Sequence, residues 1–231
     1  MQTHSASRCW PLLMVLVVLT VGLLGCSTTG SYTASASAAQ PMAAMTTMAP
    51  TPDSRTALMQ GMRKLWADHV VWTRLYIIAA VGDQPDAQPA AERLLKNQEQ
   101  IGQAIVPYYG PEAGGALAQL LKEHILIAVD LVQAAKAHNQ ASVQDADRRW
   151  HANAADIATF LSGANPHWPR DSVLAMMNEH LALTTREAMD RLNRNWSDDV
   201  VTFDSIFNQA MMMADTLSNG IVAQFPNQFH I

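Results

Sequence analysis

LMQGMRKLWADHVVWTRLY, Leu58 to Tyr76, places Leu58, Met62, Leu65, His69, Trp72 and Tyr76 at alternating spacings of four and three. Residues so spaced form one stripe along an α-helix, and an apolar stripe of this kind is what a bundle helix turns towards its core. His69 is therefore predicted to point inward among aliphatic and aromatic neighbours. The same reading applies to Leu117, Leu120, His124, Ile127, Leu131 and Ala134 around KEHILIAVDLV (Lys122–Val132), and to Val173, Met176, His180, Thr184 and Glu187 around MNEHLALTTRE (Met177–Glu187). The last of these stripes is half polar.

Helical periodicity extends over the rest of the chain from Ser54, and turn signals divide it into six segments. These are roughly 54–81, 87–106, 111–137, 141–163, 170–194 and 198–223. The breaks are GDQPD, PYYGP, HNQ, GANPHWP and NWSDD, each built from residues that favour turns or cap the next helix. No segment alternates as a strand would. Short connections make neighbouring helices antiparallel, so the expected fold is all-α, an up-and-down bundle of about six helices arranged as three hairpins. Residues 54–231 form the expected domain.

Sliding the chain by 56 positions lays Glu123-His124 on Glu179-His180, Leu161-Ser162 on Leu217-Ser218 and Ala158 on Ala214. This repeat signal is weak, because helical sequences share periodicity by default.

His69, His124 and His180 each lie near the middle of a helix, and helix midpoints share one layer whichever way the helices run. Three imidazoles are thus expected to meet at the bundle centre. The other segments offer Gln98, Asn153 and Asp204, Asn208 or Asp215 at comparable positions. Three readings compete for this layer. It is a hydrogen-bonded network that fixes helix register; or a small-ligand or metal site, since imidazoles hold Zn²⁺ or a copper ion; or a catalytic centre. His69, His124, His180, Asn153 and Asp204 are the candidate ligand set. Each histidine follows an acid, Asp68, Glu123 or Glu179, but adjacent helix residues diverge by about 100°, which puts the acid on a flank. Neither H-x-x-x-H nor E-x-x-H occurs on a helix, which argues against a ferritin-like di-iron bundle. Trp66 and Trp72 read as core or interface packing rather than a cofactor cage.

The N-terminal part has a different character. Arg8 precedes an apolar run from Leu12 to Leu24, shorter than the roughly 20 residues of a membrane-spanning helix. Its length suits a secretory signal peptide. The closing Leu23-Leu24-Gly25-Cys26 resembles the lipobox of bacterial lipoproteins. That resemblance implies cleavage before Cys26, diacylglycerol on its thiol and an acyl chain such as palmitate on its amine. Each buried methylene of such an anchor contributes about 0.8 kcal/mol. The partner so implied is a membrane, the location the bacterial cell envelope, and Ser27 after the cysteine implies the outer membrane if the host is Gram-negative. Residues 26–53 read as the lipidated cysteine and a Ser/Thr/Ala/Met/Pro tether with a span of roughly 30 Å. Met42, Met45 and Met48 are spaced three apart in that tether, a pattern of soft thioethers able to bind Cu(I) but more often ordinary apolar filler.

Cys9 falls in the leader, so the mature chain keeps Cys26 alone, which excludes an intrachain disulfide and a cysteine-based zinc site. Removing Arg8 leaves 14 basic side chains against 20 acidic ones, a net charge of −6. With no basic run, nucleic acid and anionic head groups are poor partners. Motifs for phosphate, dinucleotide and serine-nucleophile chemistry do not occur. GPEAGG, Gly110 to Gly115, reads as a turn and helix start.

LWADHVVWTRLYI, IGQAIVPYYG, LLKEHILIA, RWHANAADIATFLSGANPHW, MMNEHLALTTREA and GIVAQFPNQF together resemble an uncharacterised family of bacterial helical proteins, over Leu65 to Phe229. Its members often bear the names glycosyltransferase or acetylglutamate kinase. The residues support neither name, because both activities call for an α/β nucleotide fold. What the resemblance implies is a helical fold and an envelope setting. The expected function is a lipid-anchored envelope protein, leaning away from catalysis, whose bundle binds a small ligand or metal ion. A structural or envelope-protein-interaction module is the alternative, and an unrecognised enzyme the second.

Overall fold

The computed structural model describes residues 53–229. The expected signal peptide, Cys26 and the expected tether up to Pro52 lie outside them. Five α-helices follow one another: α1 Ser54–Val81, α2 Ala87–Lys136, α3 Gln140–Ala164, α4 Arg170–Leu192 and α5 Trp196–Gln224, closed by the short 3₁₀ turn Pro226–Gln228. No strand occurs among the described residues. No helix there is long and apolar enough to cross a membrane.

The all-α bundle is as expected, with five helices in place of about six. PYYGP is a break as expected, lying within the continuous span of α2: two helical arms meet at Gly110, which alone leaves the helical region, with φ of 83° and ψ of 167°. Pro111 removes a backbone donor there, and glycine accepts a positive φ without a Cβ clash. The two arms then fold tightly against each other. A Cβ on Gly102 would lie 2.4 Å from the Gly114 carbonyl oxygen. Counted by arms, the chain is three hairpins: α1 with the first arm of α2, the second arm of α2 with α3, and α4 with α5.

All three hairpins turn in the same way. Asp83, His138 and Arg194 sit in the left-handed region with φ of 55°, 53° and 61°. The next amide reaches back to the helix in each case: Gln84 N to Ala79 O at 2.9 Å, Asn139 N to Ala134 O at 3.0 Å, and Asn195 N to Asp190 O at 2.8 Å. This is the bond of a Schellman cap, which ends a helix by satisfying its last carbonyls. Asp53 and Asn139 cap the starts of α1 and α3 by accepting from Thr56 N and Ser142 N.

Helix α1 packs on both α2 and α5, and α3 on both α2 and α4, while α4 and α5 pair with each other. The hairpins therefore close into a ring. Its larger core contains Met62, Trp66, Leu117, Leu121, Val173 and Met177. A smaller cluster of Tyr76, Ile77, Ala90, Val132 and Ala188 lies nearer the hairpin turns. The stripe predicted for α1 is rotated from the true core face. Trp66, Val70 and Ile77 are buried, whereas Leu58, Leu65 and Trp72 are only half-buried on the flanks. Arg93 lies over the Trp72 ring.

Candidate functional site

Along α1, the second arm of α2, and α4, the core stripes contain one histidine each, between the two apolar clusters. His69, His124 and His180 are 4%, 3% and 3% exposed. Each Nδ1 faces an amide side chain 29 residues further on: Gln98 Nε2 at 3.2 Å, Asn153 Oδ1 at 2.8 Å and Gln209 Oε1 at 3.2 Å. The carbonyl four residues before each histidine also accepts from an amide. Asn97 Nδ2 donates to Leu65 O, Asn153 Nδ2 to Leu120 O and Gln209 Nε2 to Met176 O. One unit thus occurs three times, in all three hairpins. The weak repeat seen between the last two hairpins extends to the first, where Asn97 and Gln98 divide the two tasks that a single amide performs elsewhere.

That division sets the protons. Asn153 and Gln209 offer an oxygen to the ring, so His124 and His180 carry hydrogen on Nδ1 and a lone pair on Nε2. Gln98 offers an NH₂, so His69 accepts at Nδ1 and carries hydrogen on Nε2. His69 Nε2 and His180 Nε2 are 3.4 Å apart, a donor facing an acceptor. Burial pushes the His124 imidazole down to about 3 and His180 down to about 4. His69 is held well below the ordinary histidine range by burial first, then by the neighbouring His180 and His124. All three rings are therefore neutral at pH 7.

Beside these rings is a cavity of about 20 Å³, with Thr184 and Trp150 also in its wall. That is room for about one water molecule. Thr184 Oγ1 and Trp150 Nε1 are buried without a hydrogen-bond partner, as is Gln98 Oε1. Trp150 packs against His124 and Trp66 edge-on against His69.

Of the residues singled out from sequence, the structure brings His69, His124, His180, Gln98 and Asn153 into this layer. Asp204 does not belong to it. It is exposed on α5, as is Asn208, and Asp215 pairs with Arg63 at 2.5 Å near the surface. Asp204 precedes Gln209 by five residues, about 140° round the helix, so only Gln209 faces inward. The recurring separation of 29 residues between histidine and amide was the signal that identifies Gln209. Among the described residues no three side chains of the His, Cys, Asp and Glu types stand close enough to share an ion. The flanking acids point away from the layer: Glu123 and Glu179 are exposed, and Asp68 pairs with Lys64 at 2.7 Å.

A charged cluster was not foreseen. Arg74 of α1 donates to Glu187 Oε1 at 2.5 Å and to both carboxylate oxygens of Asp199, at 3.0 and 2.9 Å. Arg191 adds a bond to Asp199 Oδ2 at 3.2 Å. Burial raises Glu187 to about 7 against the opposing pull of Arg74. The cluster joins α1, α4 and α5 on the hairpin-turn side of the layer.

No protein family, curated protein or solved structure matches the chain.

Proposed function

We propose that this is a lipid-anchored envelope protein whose bundle binds one metal ion or similarly small ligand at the histidine layer. The observation that supports the reading is the pair of buried Nε2 atoms 3.4 Å apart. Two ligands each roughly 2.0–2.1 Å from one tetrahedral ion are separated by about that distance. The amides behind the rings act as the outer partners that orient ligating histidines. Binding is favoured over turnover, because imidazoles titrating near 3 and 4 are weak bases at neutral pH. The envelope setting rests on Leu23-Leu24-Gly25-Cys26.

A second reading, a hydrogen-bonded layer that only fixes helix register, is favoured by the matched tautomers of His69 and His180. The two separate on His180→Ala, with unfolding measured with and without added metal. A structural layer loses about 1–3 kcal/mol in both conditions, because a polar partner is left unpaired. A binding layer additionally loses the stabilisation that metal gives the native protein. If no added metal or small ligand stabilises the native protein, the binding reading is refuted.

A further inference from the structure

We infer that the ion suited to this layer is a soft monovalent one, Cu(I), held between His69 Nε2 and His180 Nε2; the inference rests on the binding reading above. The donor count is the first argument. Zn²⁺ in proteins is almost always four-coordinate, with three or four protein ligands. Here two imidazole nitrogens face each other, and no three ligating side chains among the described residues share a point. The adjoining space of about 20 Å³ adds at most one water. A filled-shell monovalent ion accepts three donors, here the two rings and that water, and such a bent arrangement suits nitrogens 3.4 Å apart, whereas two donors alone would stand collinear and further apart.

Charge is the second argument. The layer offers only neutral donors. The buried carboxylates nearest along the helices, Glu187 and Asp199, are already engaged by Arg74. The Born cost of burying an ion grows with the square of its charge, so a divalent ion costs about four times as much here as a monovalent one of equal size. The surroundings are soft as well. Trp66, which packs on His69, also lines an apolar cavity with Met62, Met176, Met177 and Met213.

Proton positions give the third argument. His180 already presents a lone pair at Nε2, because Gln209 Oε1 accepts from its Nδ1. His69 does not, but Gln98 Nε2 has two hydrogens and three acceptors within reach, His69 Nδ1 at 3.2 Å, Leu94 O at 2.9 Å and Asn97 Oδ1 at 3.1 Å. The bond to the ring is the one it can give up while both hydrogens stay engaged. The ring proton then moves from Nε2 to Nδ1 and frees Nε2 for the ion. No proton is released in the exchange.

The test uses full-length protein extracted from membranes in detergent, with ¹⁵N-labelled histidine. Ag⁺ serves as a probe that needs no reductant; Cu(I) is supplied anaerobically, and Zn²⁺ in a parallel titration. One equivalent of Ag⁺ or Cu(I) is expected to raise the unfolding midpoint by several degrees and to shift the Nε2 resonances of His69 and His180. A His69→Gln/His180→Gln variant retains every thiol and thioether and is expected to bind one equivalent fewer. His124→Gln is expected to keep the ion. If Zn²⁺ shifts the two resonances and neither monovalent ion does, the Cu(I) assignment is overturned while the binding reading survives. If no metal shifts them, the assignment and the metal form of that reading both fail. The resonances decide the matter even if the double variant does not fold.

Discussion

Lowering the pH from 7.5 to 5.0 should cost the bundle a large share of its stability, and the size follows from the three buried rings. In the unfolded chain a histidine titrates near 6.5. In the native bundle His124 is pushed down to about 3 and His180 to about 4, with His69 also well below its ordinary range. Between these values the unfolded state binds more protons than the native one, so stability falls as pH falls. At pH 5.0 His124 and His180 each remove about 2 kcal/mol, roughly 4 kcal/mol together, and His69 acts in the same direction. Glu187 works in the opposite direction. Its value of about 7 lies above that of an unfolded glutamate, so its contribution is present at low pH and lost as pH rises through 7. Over the same interval it returns about 2 kcal/mol, leaving a net loss on the order of 2 kcal/mol from these groups, which His69 enlarges. Domains are stable by about 5–15 kcal/mol in total, so the loss is readily measurable. Urea titrations at half-unit pH steps, followed by circular dichroism, would give the slope. His124→Gln should reduce it by about 1.2 kcal/mol per pH unit near pH 5.5. A wild-type profile flat between pH 7.5 and 5.0 would show that the rings are not held neutral by burial.

Three other perturbations test separate parts of the reasoning. Arg74→Met leaves Glu187 and Asp199 buried without their shared cation and should cost about 3–5 kcal/mol at pH 8, less at pH 6 where Glu187 takes up a proton; equal losses at both pH values would count against the cluster. Gly220→Ala places a Cβ 1.9 Å from Trp168 Nε1, so the indole must move, and thermal unfolding should report a loss of about 1–3 kcal/mol; an unchanged midpoint would mean the contact is not tight. Cys26→Ala should abolish labelling by radioactive palmitate and leave uncleaved precursor, whereas normal processing of the variant would refute lipidation.

Helix positions and histidine orientation were legible in the sequence because both follow from short-range periodicity. Tightly spaced apolar residues forced His69, His124 and His180 inward whatever the helices packed against. The break at Gly110 was legible from its Pro and Gly, but not that the two arms close so tightly that Gly102 packs on Gly114. Val70 and Ile77 were missed as core positions because the α1 stripe can be drawn along two adjacent tracks, and the choice depends on neighbours far away in sequence. Asp204 was chosen ahead of Asn208 and Asp215 for its chemistry, although helix phase excludes it and turns Gln209 inward. The Arg74–Glu187–Asp199 cluster joins three helices across more than a hundred residues of chain, and local patterning does not encode such a meeting.

Ser54 Oγ lies 3.4 Å from the carbonyl oxygen of Gln228, and α5 packs beside α1. The first and last turns of the fold are thus neighbours, and the seam between them resembles the joints between the hairpins. A short linker could join these ends into a circle. New termini could then be opened at Asp83, His138 or Arg194, each an equivalent turn of the ring. Circular permutants cut at those three places should retain the same histidine layer, because none of its bonds depends on where the polypeptide begins.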